Sequence, residues 1–112
     1  AQNYFLDIKL HYFLKLELKA NDNLVVWGAG KKGKTIANLL VKKNIPFHWV
    51  CDNEKKIGKD IYDVRLDHFS ALRKISHTKS IITVANEEDQ LNITSFFNEL
   101  NKKTAVDYFF FC

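Results

Sequence analysis

LVVWGAGKKGKTIANLLVKKNIPFHWVCD, residues 24–52, is the stretch that decides the fold of this 112-residue chain. It opens with four apolar residues and continues with a turn in which Gly28, Gly30 and Gly33 are spaced as G-x-G-x-x-G. An amphipathic run follows, and a second apolar segment ends at Asp52. The order strand, glycine turn, helix, strand and acid is that of a dinucleotide-binding unit. The stretch therefore predicts a parallel α/β arrangement with a ligand site at the turn.

Each glycine of the turn has a physical role in this interpretation. Gly28 permits a tight turn after the strand, Gly30 lets the backbone approach a phosphate, and Gly33 lets the helix pack on the strand. The start of the helix offers unpaired N–H groups and the positive end of its dipole to an anion. The carboxylate of Asp52 is placed to accept hydrogen bonds from ribose hydroxyls. The residues predicted to contact a nucleotide are Gly28, Ala29, Gly30, Lys31, Lys32, Gly33, Asp52 and Asn53.

Two other interpretations of the same turn remain open. It fits an ordinary glycine turn of an α/β protein that binds no ligand. Residues 28–35 also satisfy G-x-x-x-x-G-K-[ST], the phosphate loop of nucleotide triphosphatases, in which Lys34 reaches the phosphates and Thr35 binds magnesium. The later apolar run ends in Asn86 and not in a magnesium-binding aspartate, which weighs against a triphosphatase.

Length, charge and cysteine content bound the class of protein. A chain of 112 residues is long enough for one small domain. The net charge of +4 is modest and no arginine-rich or aromatic-interleaved pattern is present, so no nucleic-acid partner is predicted. The absence of methionine predicts a piece of a longer protein, and no signal peptide or membrane span is recognised. Cys51 and Cys112 lack C-x-x-C spacing, which favours a reducing cytoplasm.

The first segment is ambiguous between strand and helix. Residues 3–20 alternate partly in hydrophobicity, yet the run is long for a strand. Polar residues that recur every fourth position form one stripe on a helix: Asp7, His11, Lys15 and Lys19. We therefore predict a connector helix within residues 1–22 and a Rossmann-like nucleotide-binding domain over residues 23–112. The wide apolar face of the helix predicts contact with an upstream domain or with a second copy of the chain, or else the helix simply covers one edge of the sheet.

Strand and helix patterns alternate over the rest of the chain. Helices are predicted over residues 31–43, after an Asp67 cap, and after an Asn86 cap. Strands are predicted over residues 47–51, 61–66, 80–85 and 105–111. Leu91, Phe96, Phe97 and Leu100 are the predicted apolar positions of the last helix. The sum is a three-layer, doubly wound, mostly parallel sheet of about five strands, Rossmann-like and preceded by an N-terminal helix.

No catalytic or metal-binding pattern is recognised. The four histidines do not have the spacing of metal ligands, and no serine lies in a nucleophile-elbow setting. The acidic cluster after Asn86, residues 87–89, lies where a strand ends and would repel a phosphate placed close to it. We therefore predict no catalytic residue and no metal site, and the domain alone is expected to bind rather than to catalyse.

With these motifs in view, the chain resembles a known family over residues 24–86. The segments VVWGAGKKGKTIANLL, WVCDNEKKIGKDIYDV and SIITVAN resemble the nucleotide-binding-like domain at the C-terminus of some bacterial family 2 glycosyltransferases. A similar pattern closes the sugar C-methyltransferases that use S-adenosylmethionine, and a small Rossmann unit like it opens sugar acetyltransferases. The resemblance implies a nucleotide or sugar-nucleotide pocket lined by Gly28, Gly30, Gly33 and Asp52.

The same resemblance implies partners and a parent enzyme. The metal-binding and catalytic groups of a family 2 glycosyltransferase would lie in an upstream domain of the same chain. NAD, NADP, another nucleotide or a sugar nucleotide are the ligand candidates. Two alternatives to this accessory role are a nicotinamide oxidoreductase fragment and a pure interaction module that docks through the apolar face of residues 4–18.

Overall fold

A six-stranded sheet with helices forms residues 2–111, the part of the chain that this computed structural model describes. The elements are α1 (Gln2–Leu16), β1 (Asn23–Trp27), α2 (Lys31–Lys42), β2 (His48–Cys51), β3 (Asp60–Ile61), β4 (Val64–His68), a 3-10 helix (Phe69–Lys74), β5 (Thr78–Ile82), α3 (Glu87–Glu99) and β6 (Tyr108–Phe110). The strand order is β3-β4-β2-β1-β5-β6, and only β3 pairs antiparallel to its neighbour. The predicted α/β class, the mostly parallel sheet and the N-terminal helix are confirmed.

The central strand β1 lies where the direction of the strand order reverses. The chain leaves β1 through the glycine turn, forms α2 and returns as β2 on one side of β1. After β4 and the 3-10 helix it returns as β5 on the other side of β1. The carboxyl ends of β1, β2 and β5 therefore meet at one edge of the sheet, which is where open parallel sheets bind ligands.

Alternate residues of β1 belong to two separate hydrophobic clusters. Leu24 and Val26 pack with residues of α1 and α2 in the first cluster. Val25 and Trp27 pack with residues of the 3-10 helix and α3 in the second. Both sets of side chains are buried, so β1 is covered on both faces and reads as a continuous apolar run.

Helix α2 is amphipathic and ends where the sequence predicts. Ile36, Ala37 and Leu40 are fully buried on the face that packs against the sheet. After its last turn Asn44 adopts the left-handed conformation, with φ of 56°, and Pro46 follows. Asparagine tolerates this conformation and proline cannot continue a helix, so both residues stop it.

Helix α1 is shorter than the predicted range of residues 3–20. It ends at Leu16, and Asp22 then closes a turn by accepting a hydrogen bond from the N–H of Lys19 at 2.8 Å. Leu10 and Phe13 are its fully buried side chains and join the first hydrophobic cluster. The helix therefore packs on the same face of the sheet as α2.

The predicted single strand over residues 61–66 is wrong, because this segment is a hairpin of β3 and β4. Tyr62 and Asp63 form its two-residue turn with φ of 54° and 61°, the left-handed geometry that favours hairpins. Strand β4 continues to His68, so Asp67 pairs with Val50 of β2 instead of capping a helix. The cap is the ring of His68, whose Nδ1 accepts a hydrogen bond from the N–H of Ser70 at 3.1 Å.

The bounds of the last two strands differ from the predicted ones. Strand β5 covers Thr78–Ile82 and begins before the predicted run over residues 80–85. Strand β6 covers Tyr108–Phe110 and is shorter than the predicted run over residues 105–111.

Asn86 caps α3 as predicted, since its Oδ1 accepts a hydrogen bond from the N–H of Asp89 at 3.1 Å. Leu91 is 69% exposed and its predicted core position is wrong, because Ile93 is the buried residue of that turn. Cys51 is a buried free thiol, and Cys112 lies outside the described residues.

Candidate functional site

A cavity of about 250 Å³ lies at the carboxyl ends of the central strands. It is bounded by the turn after β1, the residues after β2, the 3-10 helix and the start of α3. Its lining residues are Trp27, Gly28, Ala29, Gly30, Cys51, Asp52, Asn53, Lys56, Phe69, Val84, Asp89, Asn92 and Ile93. The volume is somewhat below the roughly 300–1,000 Å³ of typical small-molecule pockets, so it suits one part of a nucleotide better than an extended dinucleotide.

The fold itself requires glycine at two positions of the turn. Gly28 has φ of +127°, and a Cβ placed on it would overlap the hydroxyl oxygen of Thr83. A Cβ on Gly33 would overlap the carbonyl oxygen of Gly28 and lie 2.6 Å from its carbonyl carbon. Gly33 therefore lets α2 pack directly on the turn, which is the role that the spacing predicts.

Gly30 differs from these two glycines because the fold does not require it. Its φ of −81° and ψ of −162° are accessible to any residue. Apart from its two neighbours in the chain, no described residue has an atom within 4 Å of a Cβ placed on Gly30, and the residue faces the cavity. Glycine at this position leaves open space at the mouth of the cavity, where a ligand can approach the backbone.

Hydrogen bonds hold the turn in place from below. The N–H of Gly28 donates to the carbonyl oxygen of Val50 at 2.9 Å, and the buried indole N–H of Trp49 donates to the carbonyl oxygen of Gly28 at 2.7 Å. The ammonium group of Lys56 donates to the carbonyl oxygen of Ala29 at 2.7 Å. The carbonyl groups of the turn are thus satisfied within the protein, so its shape is set before any ligand binds.

The N–H groups at the start of α2 are arranged differently. No side chain in the described part of the chain caps this helix, and its first backbone hydrogen bond runs from the N–H of Lys34 to the carbonyl oxygen of Gly30 at 2.9 Å. The N–H groups of Lys31, Lys32 and Gly33 precede that bond and have no intrahelical acceptor. Lys31 and Lys32 are exposed and Gly33 is buried. An anion beside Gly30 would meet both the free amides and the positive end of the helix dipole.

The cavity wall combines an aromatic surface with oxygen-bearing side chains. The rings of Trp27 and Phe69 stack with their centroids 5.0 Å apart and their planes 16° apart. Asp52 follows β2, while Asp89 and Asn92 project from α3 on the far side of β1. Carboxylates and amides accept hydrogen bonds from hydroxyl groups, and an aromatic wall suits a flat ring.

The structure brings five of the eight predicted site residues into the cavity wall. These five are Gly28, Ala29, Gly30, Asp52 and Asn53. Lys31, Lys32 and Gly33 do not line the cavity; the two lysines lie beside it at the start of α2, and Gly33 lies beneath the turn.

Sequence reasoning missed the contributions from distant parts of the chain. Lys56 gives no sequence signal, because the loop after β2 folds back to reach Ala29. Phe69, Asp89 and Asn92 enter the wall because their helices follow strands β4 and β5, which flank β2 and β1. The sequence predicts a helix after each of these two strands, but it does not predict the strand order that brings Phe69, Asp89 and Asn92 to the cavity.

The geometry does not favour the phosphate-loop interpretation. In that interpretation the side chains of Lys34 and Thr35 would face the ligand, but the hydroxyl of Thr35 donates to the carbonyl oxygen of Lys31 at 3.0 Å. Neither residue lines the cavity.

Comparisons with known proteins add no relative. No protein-family model, no curated protein and no solved structure matches this chain. Over residues 2–111, no helix has both the length and the hydrophobicity needed to cross a membrane. Within the same described residues, no group of three or more histidine, cysteine, aspartate or glutamate side chains is placed to hold a metal ion.

Proposed function

We propose that this chain is a doubly wound, Rossmann-like domain that binds a nucleotide or a sugar nucleotide. The observation that carries the proposal is the open space at Gly30. Close packing within the fold explains Gly28 and Gly33, whereas a side chain at Gly30 would meet no protein atom among the described residues and would occupy the space in which a ligand can approach the backbone. The helices packed on both faces of β1 support the doubly wound arrangement.

In the proposed complex, the anionic part of the ligand lies beside Gly30. The free N–H groups at the start of α2 and the side chains of Lys31 and Lys32 neutralise its charge. Asp52 accepts hydrogen bonds from the ribose hydroxyls. The apolar wall of Trp27 and Phe69 shields the buried part of the ligand from water.

The parent protein in this proposal is a bacterial sugar-modifying enzyme, a family 2 glycosyltransferase first of all. The support is the resemblance of residues 24–86 to the C-terminal domains of such enzymes. In that role the domain binds and does not catalyse, and an upstream domain supplies the catalytic groups. The cavity is then an accessory site that recognises a nucleotide.

Thermal denaturation with a ligand panel tests the proposal. The panel comprises NAD, NADP, ATP with magnesium, S-adenosylmethionine, UDP-glucose and GDP-mannose. A ligand at one hundred times its Kd stabilises the folded protein by about 2.7 kcal/mol, which shifts the melting temperature measurably. Absence of a shift with every member of the panel refutes the proposed function.

Three variants locate the site once a ligand is found. Gly30→Ala and Asp52→Ala are expected to weaken binding in titration calorimetry, because each alters the cavity wall. Glu54→Ala is the control, since Glu54 is exposed, lies two residues from Asp52 and does not line the cavity. Equal affinities for Gly30→Ala and the wild type would contradict the placement of the ligand at the turn.

A second candidate function, docking to another protein surface, is favoured by one observation on α1. The outer face of this helix exposes a stripe of large apolar side chains: Tyr4, Phe5, Ile8, Tyr12 and Leu16. An exposed contiguous apolar patch is typical of an interaction site. The partner in this proposal is the upstream catalytic domain. Sedimentation analysis tests it, because a dimer that Phe5→Glu dissociates would assign the stripe to a second copy of the chain instead.

A further inference from the structure

The two helices that meet the cavity have N-termini of opposite electrostatic character. Helix α2 begins without a side-chain cap and without an acidic residue in its first turn, and Lys31 and Lys32 are its first two residues. Helix α3 begins with the cap of Asn86, and its first turn consists of three acidic residues. Free N–H groups and lysines attract an anion, whereas a capped start with three carboxylates repels one.

Asp89 brings this difference inside the cavity. It is the only residue of the acidic first turn that lines the cavity wall, and Asn92 lines the same wall one helical turn later. Lys56 is the one cationic side chain among the described lining residues, and its ammonium group donates to the carbonyl oxygen of Ala29, on the side of the glycine turn. The α3 side of the cavity therefore has a carboxylate and a carboxamide without a cation among its lining residues.

We propose that Asp89 is a specificity-determining residue. It makes the α3 side of the cavity accept an uncharged or cationic group that donates hydrogen bonds, and it makes the same side reject an anionic group. The inference rests on the proposed nucleotide-binding function and adds the orientation of the ligand. The phosphates lie at the start of α2. The hexose of a sugar nucleotide, or the nicotinamide ring of NAD, lies against α3. A neutral hexose or a carboxamide ring meets this requirement, whereas a uronic acid, a ring carboxylate or a further phosphate does not.

The physical basis is the loss of solvent that a bound group suffers in the cavity. Hydroxyl and amide donors that enter it find acceptors on Asp89 and Asn92, so their hydrogen bonds to water are replaced. A carboxylate or phosphate in the same place gives up part of its hydration and faces the like charge of Asp89, and because Asp89 is exposed the repulsion is modest.

Pairs of ligands that differ by one negative charge test the inference. UDP-glucose is compared with UDP-glucuronate, and NAD with its deamidated form, in which a carboxylate replaces the nicotinamide carboxamide. Titration calorimetry on the full chain is expected to give at least about threefold weaker binding for the anionic member of whichever pair binds. Asp89→Asn is expected to remove most of that difference, since it deletes the charge and keeps the shape.

Glu88→Gln is the matched control. Glu88 lies in the same first turn of α3 and is likewise exposed to solvent, yet it does not line the cavity. If the preference reflects the cavity, only Asp89→Asn removes it; if both variants change the affinity ratio equally, the overall charge is responsible and the role of Asp89 is refuted.

The remaining outcomes separate the inference from the function on which it rests. Anionic members that bind as tightly as or tighter than their neutral partners overturn the inference and leave nucleotide binding intact. Failure of both pairs to bind, together with the rest of the ligand panel, overturns the proposed function itself.

Discussion

Replacing Gly33 with alanine is expected to destabilise the protein, because the added Cβ would overlap the carbonyl oxygen of Gly28. The same Cβ would lie 2.6 Å from the carbonyl carbon of Gly28 and 3.1 Å from the hydroxyl oxygen of Thr83. The carbonyl oxygen and carbon of Gly28 belong to a turn that Trp49 and Val50 hold by hydrogen bonds. These two backbone atoms therefore cannot move away without a large cost.

The magnitude follows from two opposing contributions. Inserting a methyl group into well-packed structure costs about 1–3 kcal/mol, and contact with rigid backbone places Gly33→Ala near the upper end. Alanine in place of glycine inside a helix recovers about 1 kcal/mol of that cost. The net loss in the free energy of unfolding is therefore about 2 kcal/mol, which lowers the melting temperature by about 8 °C in a domain of this size.

Urea denaturation and thermal melting followed by circular dichroism measure this loss, and Gly30→Ala is the internal comparison. Alanine is a poorer N-cap than glycine, yet it restricts the unfolded chain, so the two effects nearly cancel and the change is within about 0.5 kcal/mol. A melting temperature for Gly33→Ala within 2 °C, roughly, of the wild type would refute the argument that α2 packs directly on the turn. Equal losses in the two variants would refute the distinction between a glycine required by the fold and one that leaves room for a ligand.

Two further substitutions test buried hydrogen-bonding groups. Trp49→Phe removes the indole N–H that donates to Gly28 and leaves that carbonyl oxygen unpaired, so urea denaturation is expected to show a loss of about 1–3 kcal/mol; a loss below about 0.5 kcal/mol would contradict the role of this bond. Ser80→Ala removes a fully buried hydroxyl that has no hydrogen-bond partner within residues 2–111, so calorimetric melting is expected to show unchanged or slightly higher stability. A clear loss of stability in Ser80→Ala would show that the hydroxyl is bonded in solution.

Patterns that are local in sequence predict much of this fold. The apolar run of β1, the glycine spacing, the stop signals at Asn44 and Pro46, and the Asn86 cap each act within a few residues of one another, and each is found where the pattern places it. Their success reflects backbone geometry that neighbouring residues decide.

The predictions that fail depend on residues distant in sequence. The turn of Tyr62 and Asp63 lacks the glycine or asparagine that is typical of a two-residue hairpin turn. The local sequence therefore does not predict the hairpin. Asp67 pairs with Val50 and extends β4, so His68 caps the 3-10 helix in its place. Sheet pairing therefore overrides local capping preference at this point.

The wrong prediction for Leu91 was avoidable, because the spacing of the other apolar residues of α3 indicates the buried face. Ile93, Phe96, Phe97 and Leu100 are spaced i, i+3, i+4 and i+7 and lie on one face of α3. Leu91 lies two residues before Ile93, which places it about 200° around the helix axis from that residue. Hydrophobicity alone is thus a poorer guide to the buried face than helical period.

The arrangement of the two tryptophans has a practical consequence for detecting ligands. The chain contains only Trp27 and Trp49, and the first lines the cavity while the second is bonded to the turn at Gly28. Indole emission shifts in wavelength and intensity with local polarity. The tryptophan fluorescence of this chain, excited selectively from that of its four tyrosines, therefore originates at the cavity and at the turn beside it, and it reports occupancy without an attached dye.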